Sequence, residues 1–113
     1  MIGRPTGTVS FLFTDVVGST PLWEREPGAM QVALARHDVV LRLVIEEFGG
    51  FVFSTAGDAF SAAFHTAAAA VSAAVEAQRR LQAEPWPDRA ALRVRMGVHV
   101  GSVVERGGDY FGS

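Results

Sequence analysis

Two aspartates stand where a carboxylate can do more than hold a turn together. Asp15 closes an apolar run that begins at Thr8, and Asp58 sits in the tight connection Thr55-Ala56-Gly57-Asp58. Carboxylates are hard oxygen donors, and two of them converging beside a glycine-containing turn make a site for Mg²⁺ or Mn²⁺. The residues after Asp15 add a second kind of chemistry. Gly18-Ser19-Thr20 leads into Pro21, with Thr20 as the expected N-cap and Pro21 at the first helical position. A helix start presents free N–H groups and the positive end of its dipole, which favour phosphate. Metal ligands beside a phosphate cradle suggest a nucleoside triphosphate bound through its metal ions. The plainer alternative is that each Asp only bonds its local backbone, and that Gly18-Ser19-Thr20 is only a cap.

Positioning these groups falls to a short series of elements. Thr8 to Asp15 reads as a buried strand, with Val9, Phe11 and Phe13 alternating onto one face. After a short helical turn with Leu22 and Trp23, Pro27-Gly28 is expected to interrupt the chain. A longer helix follows over Ala29 to Phe48, with Met30, Leu34, His37, Leu41, Val44 and Phe48 on one stripe and Gly49-Gly50 as its stop. Phe51 to Ser54 and Ala59 to Phe64 read as a hairpin. A second main helix spans Thr66 to Ala83, with Ala67, Ala70, Val71, Ala74, Val75, Gln78 and Leu81 as its packing stripe. Pro85-Trp86-Pro87 is a loop, and Leu92, Val94, Met96 and Val98 alternate with Arg93, Arg95 and His99 in a further strand. Gly101 is expected to start a turn, with Val103-Val104 as a separate short strand. The order β-α-β-β-α-β predicts an α+β fold, a ferredoxin-like split βαβ with a mainly antiparallel sheet and helices on one face. The domain is expected over 8–113 after a tail at 1–7; lacking a finishing element, it is expected to be incomplete at its C-terminus.

Composition narrows the function classes. The chain has 113 residues, 49% hydrophobic and 19% charged, with a net charge of −2, so charge makes no case for a nucleic-acid partner or an anionic membrane. There is no cysteine, which excludes disulfides, thiolate metal sites and a cysteine nucleophile and fits a cytoplasmic location. All ten basic residues are arginine, which excludes Schiff-base chemistry and a P-loop lysine. The longest apolar stretch, Ala67 to Val75, is too short to span a bilayer.

Four words in the sequence are more specific. Phe11-Leu12-Phe13-Thr14-Asp15-Val16-Val17-Gly18-Ser19-Thr20 resembles the opening motif of class III adenylyl/guanylyl cyclases, and Ser54-Thr55-Ala56-Gly57-Asp58-Ala59-Phe60 resembles their hairpin motif. Arg95-Met96-Gly97-Val98-His99-Val100-Gly101 and Gly108-Asp109-Tyr110-Phe111-Gly112 resemble the two later ones, in order and at fitting intervals. The resemblance implies that Asp15 and Asp58, with the Val16 carbonyl, hold two Mg²⁺ or Mn²⁺ ions. It implies that the backbone of Val17, Gly18, Ser19 and Thr20 contacts the triphosphate. The implied reaction is in-line attack of the ribose 3′-hydroxyl on the α-phosphorus, giving a 3′,5′-cyclic nucleotide and pyrophosphate.

The base-reading positions implied by the resemblance are Ser54 and Asp109. Asp109 matches the aspartate that accepts from the adenine amino group, whereas Ser54 stands where adenylyl cyclases carry a lysine. ATP is therefore the expected substrate, with GTP as the alternative. The family's catalytic asparagine and arginine lie past the Tyr-Phe-Gly motif, so the chain alone is expected to be inactive; losing such a group costs on the order of 10²-fold or more in rate. The implied assembly is a head-to-tail homodimer, or a heterodimer of cyclase domains, in which Asp15 and Asp58 face Ser54 and Asp109 of the partner subunit. Two other readings compete: a non-catalytic cyclase-homology module that binds nucleotide or a partner, and a ferredoxin-like interaction domain without nucleotide chemistry.

Other polar residues read as structural. His37 falls on an apolar stripe, His65 near a helix start, and His99 at a strand end. Arg93 and Arg95 read as a solvated strand face, with Arg95 able to approach phosphate, and Trp23 and Trp86 read as anchors under loops.

Overall fold

The computed structural model describes residue 5, residues 7–106 and residues 109–112, with side chains as far as residue 102. The elements run β1 (Gly7–Val16), α1 (Ser19–Arg25), α2 (Pro27–Glu47), β2 (Phe51–Ala56), β3 (Ala59–Phe64), α3 (Ala67–Ala83), β4 (Val94–Arg106) and β5 (Asp109–Gly112). The sheet order is β2-β3-β1-β4-β5, and every neighbouring pair is antiparallel. Strand β3 lies between β1 and β2, which is the split βαβ arrangement expected from the pattern. Among the described residues no helix is long and apolar enough to cross a membrane.

One sheet face carries the helices. Leu12 and Val16 of β1, Phe60, Ala62 and Phe64 of β3, and Val94 of β4 join Met30, Leu41, Val44, Ile45, Ala70, Ala73, Ala77 and Leu81 in one buried cluster. The opposite face holds a smaller cluster of Val9, Phe11 and Ala63, with Phe53 against it. The alternation of Val9, Phe11 and Phe13 is thus real, but it points away from the helices, and Phe13 is 43% exposed.

Several boundaries differ from expectation for physical reasons. The turn into α1 is made by Gly18 at φ 65°, ψ 32°, and no side chain caps the helix, so Thr20 lies inside it. The left-handed conformation is cheap only for glycine, and it starts the helix earlier than a Thr20 cap would. Pro27 begins α2, because its missing N–H costs nothing at a helix start. Helix α3 is capped by Thr66, whose Oγ1 accepts from Ala69 N at 3.1 Å. Its buried stripe is Ala70, Ala73, Ala77 and Leu81, while Val71 and Val75 are exposed. Gly101 pairs with Val9 inside β4, which runs on unbroken through 103–104.

The packing residues are partly as expected. His37 is fully buried, with its ring edge-on to Phe60 at 5.7 Å and Nδ1 2.8 Å from Asp38 Oδ1. Trp86 Nε1 donates to Leu81 O at 3.0 Å, as an anchor should, but Trp23 is exposed.

Two arginines of α3 hold Glu76 on the same helix. Glu76 accepts from Arg79 Nη2 at 2.7 Å and Arg80 Nε at 2.6 Å, and Arg80 Nη2 reaches Glu47 of α2 at 2.8 Å. Hydrogen bonds from Arg79 and Arg80 hold the Glu76 carboxyl down at about 2. A carboxyl lowered on folding stabilises the folded state above its ordinary value and loses that effect as pH falls through the lowered value. Glu76→Gln is therefore expected to lower the urea midpoint at pH 7, with the gap to wild type closing as pH approaches 2. Midpoints measured across that range check it, and a gap unchanged at acid pH would contradict it.

Candidate functional site

The site is built at one end of the sheet, where β1 finishes and the β2–β3 turn begins. Register places Asp15 opposite Arg95 and Val16 opposite Val94, the last pair of the β1–β4 ladder. The β2–β3 hairpin closes through Gly57-Asp58 alone, since Ala56 already pairs with Ala59. Asp58 Oδ1 then accepts from Val16 N at 3.0 Å, across 42 residues of sequence. This bond locks the turn onto the end of β1 and sets the Asp58 carboxylate beside the residue that follows Asp15. The Asp58 carboxylate is thus bonded to the backbone one residue after Asp15.

They are held differently. Asp58 is half-buried and anchored to the main chain through one oxygen. Asp15 accepts from Arg95 Nε at 2.9 Å through Oδ1 and from Arg95 Nη2 at 2.7 Å through Oδ2. This two-pronged geometry matches a planar guanidinium to a carboxylate. The Arg95 hydrogen bond, opposed in part by desolvation, draws the Asp15 carboxyl below its ordinary value. Arg95 is thus more than part of a solvated face: it is the cation at the candidate metal ligand. Sequence reading missed this pairing, and its one signal, the position of Arg95 on the alternating strand, shows only once the register is known.

The remaining predicted residues spread around this point. Val17 N donates to Arg93 O at 2.8 Å, so this amide is already used. Gly18, Ser19 and Thr20 follow at the start of α1, where a first helical turn has no internal acceptor for its N–H groups. Ser54 is exposed and pairs with Ser61 on the helix-free face. The backbone of Asp109 pairs with Arg106 in β5; its side chain lies outside the described residues. An open groove of ≈ 440 Å³ crosses this end of the sheet, lined by Phe13, Asp15, Ser61, Arg95 and Gly97 among others. His99 stacks on Phe11 at 6.4 Å on the same face, which gives it a structural partner.

The donor set suits a hard divalent ion. Among the described residues there is no cluster of three or more His, Cys, Asp or Glu, so a metal here would rest on two carboxylates and main-chain oxygen. A guanidinium already seated on Asp15 shows that this carboxylate attracts a cation in the folded chain.

The family profile of the adenylate and guanylate cyclase catalytic domain matches residues 2–107. The chain belongs to that family. It is 35% identical over 133 residues to an adenylate cyclase of Neurospora crassa, covering 96% of this chain and 6% of that protein. Its fold superposes on a Trypanosoma brucei adenylate cyclase in its monomeric state with a TM-score of 0.77 and 26% identity, covering 96% of this chain and 65% of that one. It likewise matches an adenylate/guanylate cyclase/hydrolase of Silicibacter pomeroyi with a TM-score of 0.76 and 29% identity, covering 94% and 63%. The cyclase chain spans only 6–7% of the length of the first curated relatives it matches.

Proposed function

We propose that this cyclase domain serves a protein that converts ATP to 3′,5′-cyclic AMP and pyrophosphate in the cytoplasm, at the interface of a head-to-tail pair of such domains. The observation that carries the reading is the bond from Val16 N to Asp58 Oδ1, which places a second carboxylate at the end of the strand that bears Asp15. Divalent ions held by Asp15 and Asp58 would activate the 3′-hydroxyl and neutralise charge on the phosphates. The chain's own part is to fix that end of the sheet. Asp58 is oriented by main chain and the backbone of Asp15 by a paired strand, so the backbone that carries both carboxylates is already in place when substrate arrives. The amides of Gly18 to Thr20 offer donors to the triphosphate. The base would meet Ser54 and Asp109 of the partner subunit. Relatives named adenylate cyclase support ATP over GTP.

The 113 residues contain no asparagine, so the asparagine implied by the resemblance must be supplied from elsewhere, and the chain alone is proposed to be inactive. A non-catalytic module is the second reading. It is favoured by Ser54, whose short hydroxyl lacks the charge and reach of lysine.

The test is product formation from Mn²⁺-ATP and Mn²⁺-GTP by a complete cyclase domain carrying this chain. Cyclic AMP as the main product is expected. A preference for GTP would overturn the base assignment, and no product from either nucleotide would favour the non-catalytic module.

A further inference from the structure

Asp15 and Asp58 are unequal in a way that bears on how the site loads. Among the described residues Asp58 has no ion pair and is fixed through Val16 N, whereas both oxygens of Asp15 are taken by one guanidinium. Resting on the reading of these two residues as ligands, we propose that Arg95 is a displaceable latch on the metal site, whose guanidinium must leave Asp15 before a divalent cation can bind there.

The fold makes such a latch hard to avoid and easy to open. Asp15 and Arg95 are cross-strand partners on the same sheet face, so the ladder keeps them within reach. The Arg95 side chain is 70% exposed and that of Asp15 is 42% exposed, so rotation into solvent meets little obstruction. An arginine stays charged at any ordinary pH, so it cannot release Asp15 by losing a proton and must swing away. Exposed ion pairs are individually weak, and good two-pronged geometry places this one at the stronger end of that range. That strength is enough to tax metal affinity and not enough to block it. The positive charge adds repulsion toward an incoming cation, in the same direction. Arg93, just before β4 and two residues from Arg95, is exposed and is not a hydrogen-bond partner of Asp15 among the described residues, so it separates a specific pair from general charge.

The experiment is Mn²⁺ binding to the 113-residue chain at fixed ionic strength and pH 7, read from the loss of the free-ion electron paramagnetic resonance signal. Arg95→Gln is expected to tighten binding about tenfold, equivalent to about 1.4 kcal/mol. Arg95→Lys, which keeps the charge but loses the fork, is expected to fall between Gln and wild type. Arg93→Gln is expected to change affinity by less than about twofold, since exposed charges further off are screened. Unchanged or weaker binding by Arg95→Gln overturns the latch, as does equal tightening by Arg93→Gln. Asp15→Asn and Asp58→Asn test the ligand reading separately. If they bind Mn²⁺ as well as wild type, or if no variant binds it, that reading fails and the latch with it.

Discussion

In a complete cyclase domain carrying this chain, Asp58→Asn is expected to leave the fold intact and abolish cyclic nucleotide formation, whereas Asp58→Ala is expected to lose both stability and product. The distinction follows from what each oxygen does. Asp58 Oδ1 accepts from Val16 N at 3.0 Å, and the amide oxygen of asparagine can accept the same bond. The turn should therefore stay attached to β1, with a stability change within about 0.5 kcal/mol, typical of a substitution that keeps its partners. The asparagine has no negative charge, however, and a neutral amide is a far poorer ligand for a hard divalent ion. Removing a group that stabilises transition-state charge typically costs about 10²–10³-fold in kcat, and with Asp58 as a metal ligand, as proposed, the loss should reach at least the upper figure. Alanine also strips Val16 N of its acceptor at a half-buried position, a loss of roughly 1–3 kcal/mol. Thermal unfolding of both variants, and cyclic nucleotide formation by complete cyclase domains that carry them, decide the matter. Asp58→Asn retaining activity within tenfold of wild type would mean that Asp58 only ties the turn to the strand.

How far the site could be read beforehand depended on what kind of information each part carries. Asp15 and Asp58 were legible because each ends or turns an element, and such positions show in local pattern. Their convergence followed from topology: once β3 lies beside β1, the turn before β3 must meet the end of β1. The Arg95 pairing was not legible, because it depends on register between strands 80 residues apart. A slip of one residue would have turned Arg95 to the helix side. The same limit explains the faces. Alternation in Val9, Phe11 and Phe13 fixes that they share a side but not which side, and here the helix side went to Leu12, Thr14 and Val16. Helix α3 was misread by rotation, because an alanine-rich helix offers several small-residue stripes. The sheet took the stripe of Ala70, Ala73, Ala77 and Leu81 and left Val71 and Val75 outside. Thr20 was a sound cap by side chain, yet a glycine that can turn left-handed two residues earlier started the helix first.

Between the two adjacent glycines that end α2, the one with the ordinary backbone should be the harder to replace. Gly49 has φ 77°, and its N–H bonds Glu46 O at 3.0 Å, the usual role of a left-handed glycine after a helix. Alanine there pays about 1–2 kcal/mol for the left-handed conformation. Gly50 lies outside that region, and its N–H returns to Ile45 O at 2.8 Å. A Cβ at Gly50, however, would lie 2.5 Å from Phe64 Cε2, 2.6 Å from Phe64 Cζ and 2.8 Å from Ile45 Cγ2. Both neighbours are fully buried, so neither can swing aside into solvent. The ring of Phe64 is held in β3 beneath α2, and the backbone at Gly50 is tied to Ile45. Overpacking a closed core costs typically 1–3 kcal/mol, and clashes this close place Gly50→Ala at about 3. For a domain of this size that corresponds to a fall in Tm of roughly 12–24 °C. The cause can be isolated with Phe64→Leu, which removes the ring atoms that the new methyl would strike. The double variant should be more stable than the sum of the two single losses by over about 1 kcal/mol, the sign of a shared contact. Strict additivity would mean that the close approach is absorbed by backbone movement. A smaller loss for Gly50→Ala than for Gly49→Ala would show that helix-end geometry, and not the packing of Phe64, sets the demand for glycine at this junction.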